Sequence, residues 1–350
     1  MNNTLTIGFK LTLYLALISI QYGCAFNSEV LKDTVSTDSS IVHQEFSNGF
    51  KYYLKPMASE TDELTLQFIV KAGLNQEASD QYTLSHFMEH IALTSGKHES
   101  MNVLYGTNRA RELNLDRTSI MAYTGRDHTT FIIKIDNTAK AKKFAFRLLK
   151  DIMNDLQIKD SYVDSERIPF LDESEFRGGE SSLVRQDFIL DSKILGVKHI
   201  PPKDYPTFIY NFDKEKLIRF YNDWYRPDLM GLSITGSIKD ISGLQKELRH
   251  WFATVPKAKT ANPKTNVNNN YLELPQRYIK RIRPALYKDK YATEVRYRLY
   301  FRNYKKPNSS KEEKLIRKLK QDLLKNILNT QYKQISEENG WPFVLAIDYP

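Results

Sequence analysis

The sequence predicts an α+β fold, a mixed β-sheet packed with helices, on three observations. Short segments such as ELTLQFIV (63–70) alternate apolar and polar residues with the period of a strand. Longer segments such as AKAKKFAFRLLKDIMNDL (139–156) place Phe144, Leu148, Ile152 and Leu156 on one helical stripe. Strand and helix signals then interleave along the first 256 residues, separated by glycine and asparagine turns. The chain has 350 residues, 41% of them apolar, enough for two globular units.

Taken in order, VHQEFSNGFKYYLKP (42–56) reads as two strands around the turn Ser47-Asn48-Gly49. ELTLQFIVKAGLNQE follows as a strand ending at Gly73. LSHFMEHIAL (84–93) has helical spacing, its start expected to be capped by Thr83 or Ser85. RTSIMAYTGRDHTTFIIKI (117–135) is a second β pair turning at Gly125-Arg126-Asp127. FDKEKLIRFYNDWYRPDLM (212–230) is a helix ending before Pro227, GLSITGSI a strand, and SGLQKELRHWFATVP a closing helix. Residues 257–275, rich in Asn, Lys and Pro, read as a linker between a first unit at 42–256 and a second at 276–350. The second opens with a strand, ATEVRYRLYFRN, and a long helix from Glu312, and ends in the strand-like WPFVLAIDYP.

The first 25 residues have Lys10, an apolar run Leu11–Ile20 and small residues after it, the order of a secretory signal peptide. A polar spacer, 26–41, follows. Cleavage after Ala25 satisfies the small-x-small rule, and Cys24 offers a competing outcome, a lipidated cysteine that would attach the chain to a membrane. Cys24 is the single cysteine, so the exported chain has no disulfide, and any metal must be held by His and carboxylates. The expected location is the periplasm or outer envelope. Lys and Arg number 51 against 42 Asp and Glu, but the excess is spread along the chain. Clusters such as RYIKRIR (277–283) and KLIRKLK (314–320) sit among no aromatic platform, so no nucleic-acid partner is expected.

His86 and His90 are four apart and share one helix face, with Glu89 in the same arc. Two imidazoles and a carboxylate so placed can hold a metal and handle a proton beside it. The plain alternative is an amphipathic helix whose Leu84, Phe87, Met88 and Ile91 pack while its polar residues face water. A third protein ligand is required, and YVDSERIPFLDESEF (162–176) is the most suggestive source. Glu166 and Glu173 are seven apart and share a face, so a carboxylate at Glu173 could bind a metal while Glu166 supports it.

In these residues the chain resembles the pitrilysin/insulinase-type zinc peptidases of family M16, the inverted zincins. His86-Phe87-Met88-Glu89-His90 matches their H-x-x-E-H, and Glu166-Arg167 followed by Glu173 matches their downstream glutamate segment. FSNGFKYYL, VKAGLNQE, AYTGRDHTTF and FYNDWYRPDLMGLSITGSI agree as well, so the resemblance runs from about residue 42 to the end. It implies a clamshell of two related halves, the second incomplete here, and an exported zinc metalloendopeptidase acting on peptides or small unfolded proteins. His86, His90 and Glu173 would hold Zn²⁺, Glu89 would be general base, and Glu166 would support the catalytic site. Substrate would extend along the edge strand containing Ala122 and Thr124, held by main-chain hydrogen bonds. The alternative it leaves is a peptide-binding partner subunit, inactive alone, that works with a second half. The chain departs from the family pattern at Met121, where Asn is usual, and at Ser336 and Phe343, where Arg and Tyr are usual. Pro169 lies between Glu166 and Glu173, leaving Glu175 as an alternative ligand.

Overall fold

The computed structural model describes residues 38–58, 61–78, 80–125, 127–178, 205–259 and 310–340, with backbone alone at 174–178, 205, 311 and 314. The signal-peptide region, most of the linker, the strand expected at 292–303 and the terminal segment with Phe343 lie outside the described residues.

Among the described residues six strands form one mixed sheet: β1 (Val42–Glu45), β2 (Lys51–Pro56), β3 (Glu63–Val70), β4 (Ile120–Thr124), β5 (Thr129–Asp136) and β6 (Met230–Gly236). Their order across the sheet is β1-β2-β6-β3-β5-β4. Only the β2–β6 pair is parallel; the others are antiparallel. Among the described residues β4 is therefore an edge strand with one backbone edge unpaired by the sheet. Strand alternation gives the sheet its buried face: Leu64, Leu66, Phe68 and Val70 of β3 are all buried, and the residues between them are not.

The sharp β1–β2 turn needs Gly49, whose φ is +91° and whose position leaves no room for a side chain beside Asp228. The neighbouring Asn48 does more than turn the chain. Its amide donates to the carbonyls of Phe252 (2.8 Å) and Val255 (2.9 Å), tying the hairpin to the end of a helix.

Helices cover the buried face: α1 (Leu84–Thr94), α2 (Met101–Gly106), α3 (Arg109–Glu112), α4 (Ala139–Asn154), α5 (Asp160–Gly178), α6 (Tyr205–Asn211), α7 (Lys214–Trp224) and α8 (Ile241–Phe252). A further helix, α9 (Lys311–Asn339), starts with a capping box between Ser310 and Glu313. The α4 stripe is buried at Phe144, Leu148 and Ile152, with Leu156 packed against the core. An aromatic chain runs through that core, with Phe50 centred 6.1 Å from Phe68 and 5.0 Å from Phe252, and Phe146 6.0 Å from Phe252. Phe50, Phe68, Phe146 and Phe252 are fully buried, each removing roughly 150–250 Å² from water. No helix among the described residues is long and apolar enough to cross a membrane.

Candidate metal centre

α1 packs against α4, α5, α7 and β4, so its polar face is held by neighbours on several sides. Its apolar residues Leu84, Phe87, Met88, Ile91 and Ala92 are fully buried, which fixes the rotation of the helix. That rotation turns His86 and His90 together toward α5.

The helix start differs from the sequence expectation. Thr83 stands at the N-cap with φ +62°, but neither its side chain nor that of Ser85 supplies a cap bond. Glu77 does so instead. Its carboxylate accepts from Thr83 N (2.8 Å), Ser85 N (2.9 Å) and Ser85 Oγ (2.5 Å). A carboxylate at a helix N-terminus satisfies orphan N–H groups and sits well with the helix dipole.

α5 brings the third group. It runs unbroken from Asp160 to Gly178 with Pro169 inside, on its exposed side. On its inner side Val163, Glu166 and Phe170 are buried, and Glu173 continues that face one turn on. Glu173 Oε1 lies 3.6 Å from His86 Nε2, and its Oε2 lies 3.1 Å from His90 Nε2. One ligand atom from each of His86, His90 and Glu173 falls within 4.8 Å of the others. Glu166 Oε2 sits 3.5 Å from the opposite ring nitrogen, His90 Nδ1. The seven-residue spacing therefore brings both carboxylates to His90, one at each nitrogen. The side chain of Glu175 lies outside the described residues.

Phe170 forms the floor, and the sequence reading missed it. Its ring centroid is 4.8 Å from that of His86, 5.2 Å from His90 and 5.0 Å from Phe87. The available signal was its place between Glu166 and Glu173 on one helical stripe. Arg167, on the flank, donates to the carbonyls of Ile209 and Phe212 and stacks over the Phe212 ring at 4.3 Å, anchoring α5 to the end of α6.

Electrostatics follow from this closeness. Hydrogen bonding to His86, then His90, holds the Glu173 carboxyl well below the usual carboxylate range. Burial works to lower the His90 imidazolium, but its bonds to Glu166 and Glu173 prevail and lift it to about 9. Burial raises Glu89, opposed chiefly by a bond from Thr124. Thr124 Oγ1 donates to Glu89 Oε2 at 2.6 Å. The Thr124 side chain thus points at Glu89, while Ala122 lies on the same edge strand, partly buried against the core.

The site is a pair of imidazoles and a carboxylate converging on one point, with a buried carboxylate alongside, on an α+β half. Such a donor set can hold a metal ion with a proton-handling carboxylate beside it. The Insulinase (Peptidase family M16) family model matches residues 55–191 of this chain. The probable zinc protease PqqL of Haemophilus influenzae is 26% identical over 211 residues, 57% of this chain and 22% of that protein. The chloroplastic stromal processing peptidase of rice is 24% identical over 246 residues, and 18% of its length is matched. The chain thus spans about a fifth of the length of these curated relatives. The first half of the periplasmic protease PqqL from Escherichia coli shares the fold with a TM-score of 0.57 at 18% identity, covering 66% of this chain and 50% of that one.

Proposed function

We propose that this chain carries the catalytic half of a zinc-dependent endopeptidase that cleaves peptides or small unfolded proteins. The observation that carries the reading is the convergence of His86, His90 and Glu173 with Glu89 buried beside them. The donor set fits zinc: two borderline nitrogen donors and one carboxylate, three protein ligands, as in catalytic zinc sites. His86, His90 and Glu173 would hold the ion, and Glu166, at the far nitrogen of His90, would fix that ring's orientation and tautomer. When bound, zinc supplies Lewis acidity, polarising a carbonyl and acidifying water.

Glu89 takes the proton of the attacking water on a carboxylate oxygen and passes it to the leaving amine. A raised proton affinity, caused by burial, suits a group that must accept and then release a proton near neutral pH. The unpaired edge of β4, with Ala122 and Thr124, offers main-chain donors and acceptors to an extended substrate, and pairing of that kind is largely sequence-blind. We further propose that the chain works with a second half of the same fold and is exported. Supporting these are the leader-like residues 1–25 and the likeness to the first half of a periplasmic protease.

The test is Glu89→Gln in the full chain. Zinc and fold should be kept while hydrolysis of an unfolded peptide falls by at least ~10²-fold, the scale of a lost acid–base group. Cleavage at the wild-type rate would exclude this mechanism.

A further inference from the structure

We propose that Thr124 is a positioning residue for Glu89, reserving one oxygen of that carboxylate for the transferred proton; this rests on the peptidase reading above. Glu89 is 7% exposed, and the Thr124 hydroxyl supplies its hydrogen bond, to Oε2 at 2.6 Å. No hydrogen-bond partner engages Oε1 among the described residues.

The direction of that bond follows by counting hydrogens. Thr129 Oγ1 lies 3.4 Å from Thr124 Oγ1 and could compete for its hydrogen. Thr129 spends its own hydrogen on the carbonyl of Ala72 at 2.8 Å, so between the two hydroxyls Thr124 alone could donate. Each hydroxyl has a single hydrogen. The Thr124 hydrogen goes to Glu89, because the carboxylate oxygen at 2.6 Å is the nearer and stronger acceptor and, when ionised, has no hydrogen to give. Behind the pair stands Tyr225, its hydroxyl fully enclosed beside Thr129 without a bond of full hydrogen-bond geometry. Burial first, then the nearby charge of Glu89, holds that phenol far above its usual range, so it stays a neutral donor.

This arrangement has a chemical consequence. Oε2 is an acceptor whether or not Glu89 carries a proton, so proton traffic is confined to Oε1. The carboxyl is also fixed in rotation, and it returns to the same pose after each transfer. Removing the hydroxyl leaves a buried carboxylate free to rotate, which slows proton transfer without altering how substrate binds.

Thr124→Val, Thr124→Ser and Thr124→Ala in the full chain test this with two readouts. In hydrolysis of an unfolded peptide, Thr124→Val should keep one zinc per chain and lose roughly 10-fold or more in kcat at unchanged KM. Thr124→Ser should restore the rate, and Thr124→Ala should follow Val. In denaturation of the zinc-stripped chain, Thr124→Val should lower the midpoint in the wild-type background but not in a Glu89→Leu background, where no acceptor remains. If Val fails to fold, Ala and Ser carry the same comparison. A wild-type kcat, a raised KM with unchanged kcat, or equal midpoint shifts in both backgrounds would each overturn the proposal. Glu89→Gln separates the two levels. If it is inert while Thr124→Val is unaffected, only the positioning role fails. If it is fully active, the peptidase reading fails, and the denaturation cycle still decides the contact.

Discussion

Glu77 offers a quantitative test of how the metal helix is held. Glu77→Ala removes the acceptor of two backbone N–H groups and of the Ser85 hydroxyl, and Ser85 is fully buried. Losing a helix cap costs about 0.5–2 kcal/mol, and a buried donor left unsatisfied costs about 1–3 kcal/mol. These overlap, because the same N–H groups are counted in both, so the expected loss is about 3 kcal/mol. For a unit of this size that lowers Tm by roughly 6–12 °C. Glu77→Gln should lose less: its amide oxygen can keep Ser85, but its NH₂ then faces the Thr83 N–H, donor against donor. Burial pushes the Glu77 carboxyl up to about 7, against the pull of its three donors. A raised folded value means that this group's contribution is full below its ordinary value of 4.5 and is lost as pH climbs through about 7. The Ala penalty should accordingly be larger at about pH 5.5 than at about pH 8. The assay is urea denaturation of the zinc-stripped chain at both pH values, with zinc affinity measured by competition. His86 is the third residue of α1, so a frayed first turn should also weaken zinc. A Glu77→Ala protein with the wild-type midpoint and zinc affinity would refute the capping argument.

Three further outcomes follow from the same geometry. Glu173→Gln should weaken zinc by more than Glu166→Gln, whose supporting position predicts a roughly 10–100-fold loss; equal losses in a competition titration would reverse the two roles. His90, lifted to about 9, contributes stability to the zinc-free protein that is full below its ordinary 6.5 and is lost as pH rises through about 9. Zinc uptake near pH 7 should therefore release about one proton, read by calorimetry in buffers of different ionisation enthalpy, and a buffer-independent enthalpy would contradict it. Gly49→Ala, with φ at +91° and a Cβ placed 2.6 Å from that of Asp228, should cost more than ~1–2 kcal/mol in denaturation, and a neutral result would mean that the turn relaxes freely.

What could be read from the sequence divides along a physical line. The six strands and the longer helices α1, α4, α5, α7 and α8 were legible because periods of 2 and 3.6 are written into adjacent residues, and the turn at Asn48-Gly49 because a positive φ selects glycine. By contrast, α2, α3 and α6 are too short to show a period and were not read. His86, Glu89 and His90 were legible because one helical turn joins them, and Glu166 with Glu173 because two turns do. What stayed hidden depends on partners far apart in the chain. Asn48 reads as a turn residue, yet its amide reaches carbonyls more than 200 positions away. Thr124 reads as part of an edge strand, and only the packing of α1 on β4 turns its hydroxyl onto Glu89, 35 positions back. Glu77 is the intermediate case. It lies six and eight residues before the groups it caps, too far for the local capping rules and too near to be a tertiary contact, because the chain first bends through a left-handed Thr83.

Holding a metal and orienting a general base place different demands on the chain. A ligand set can be specified by spacing along helices, since each ligand needs only to reach a common point. A general base needs a fixed carboxyl orientation, and a helix fixes the backbone but not the rotation of a glutamate side chain. In this fold that last freedom is removed from outside the helix, by a strand hydroxyl that gives its single hydrogen to the carboxylate. Two chains can therefore share H-x-x-E-H and bind zinc alike while differing in rate through the residue that faces the glutamate.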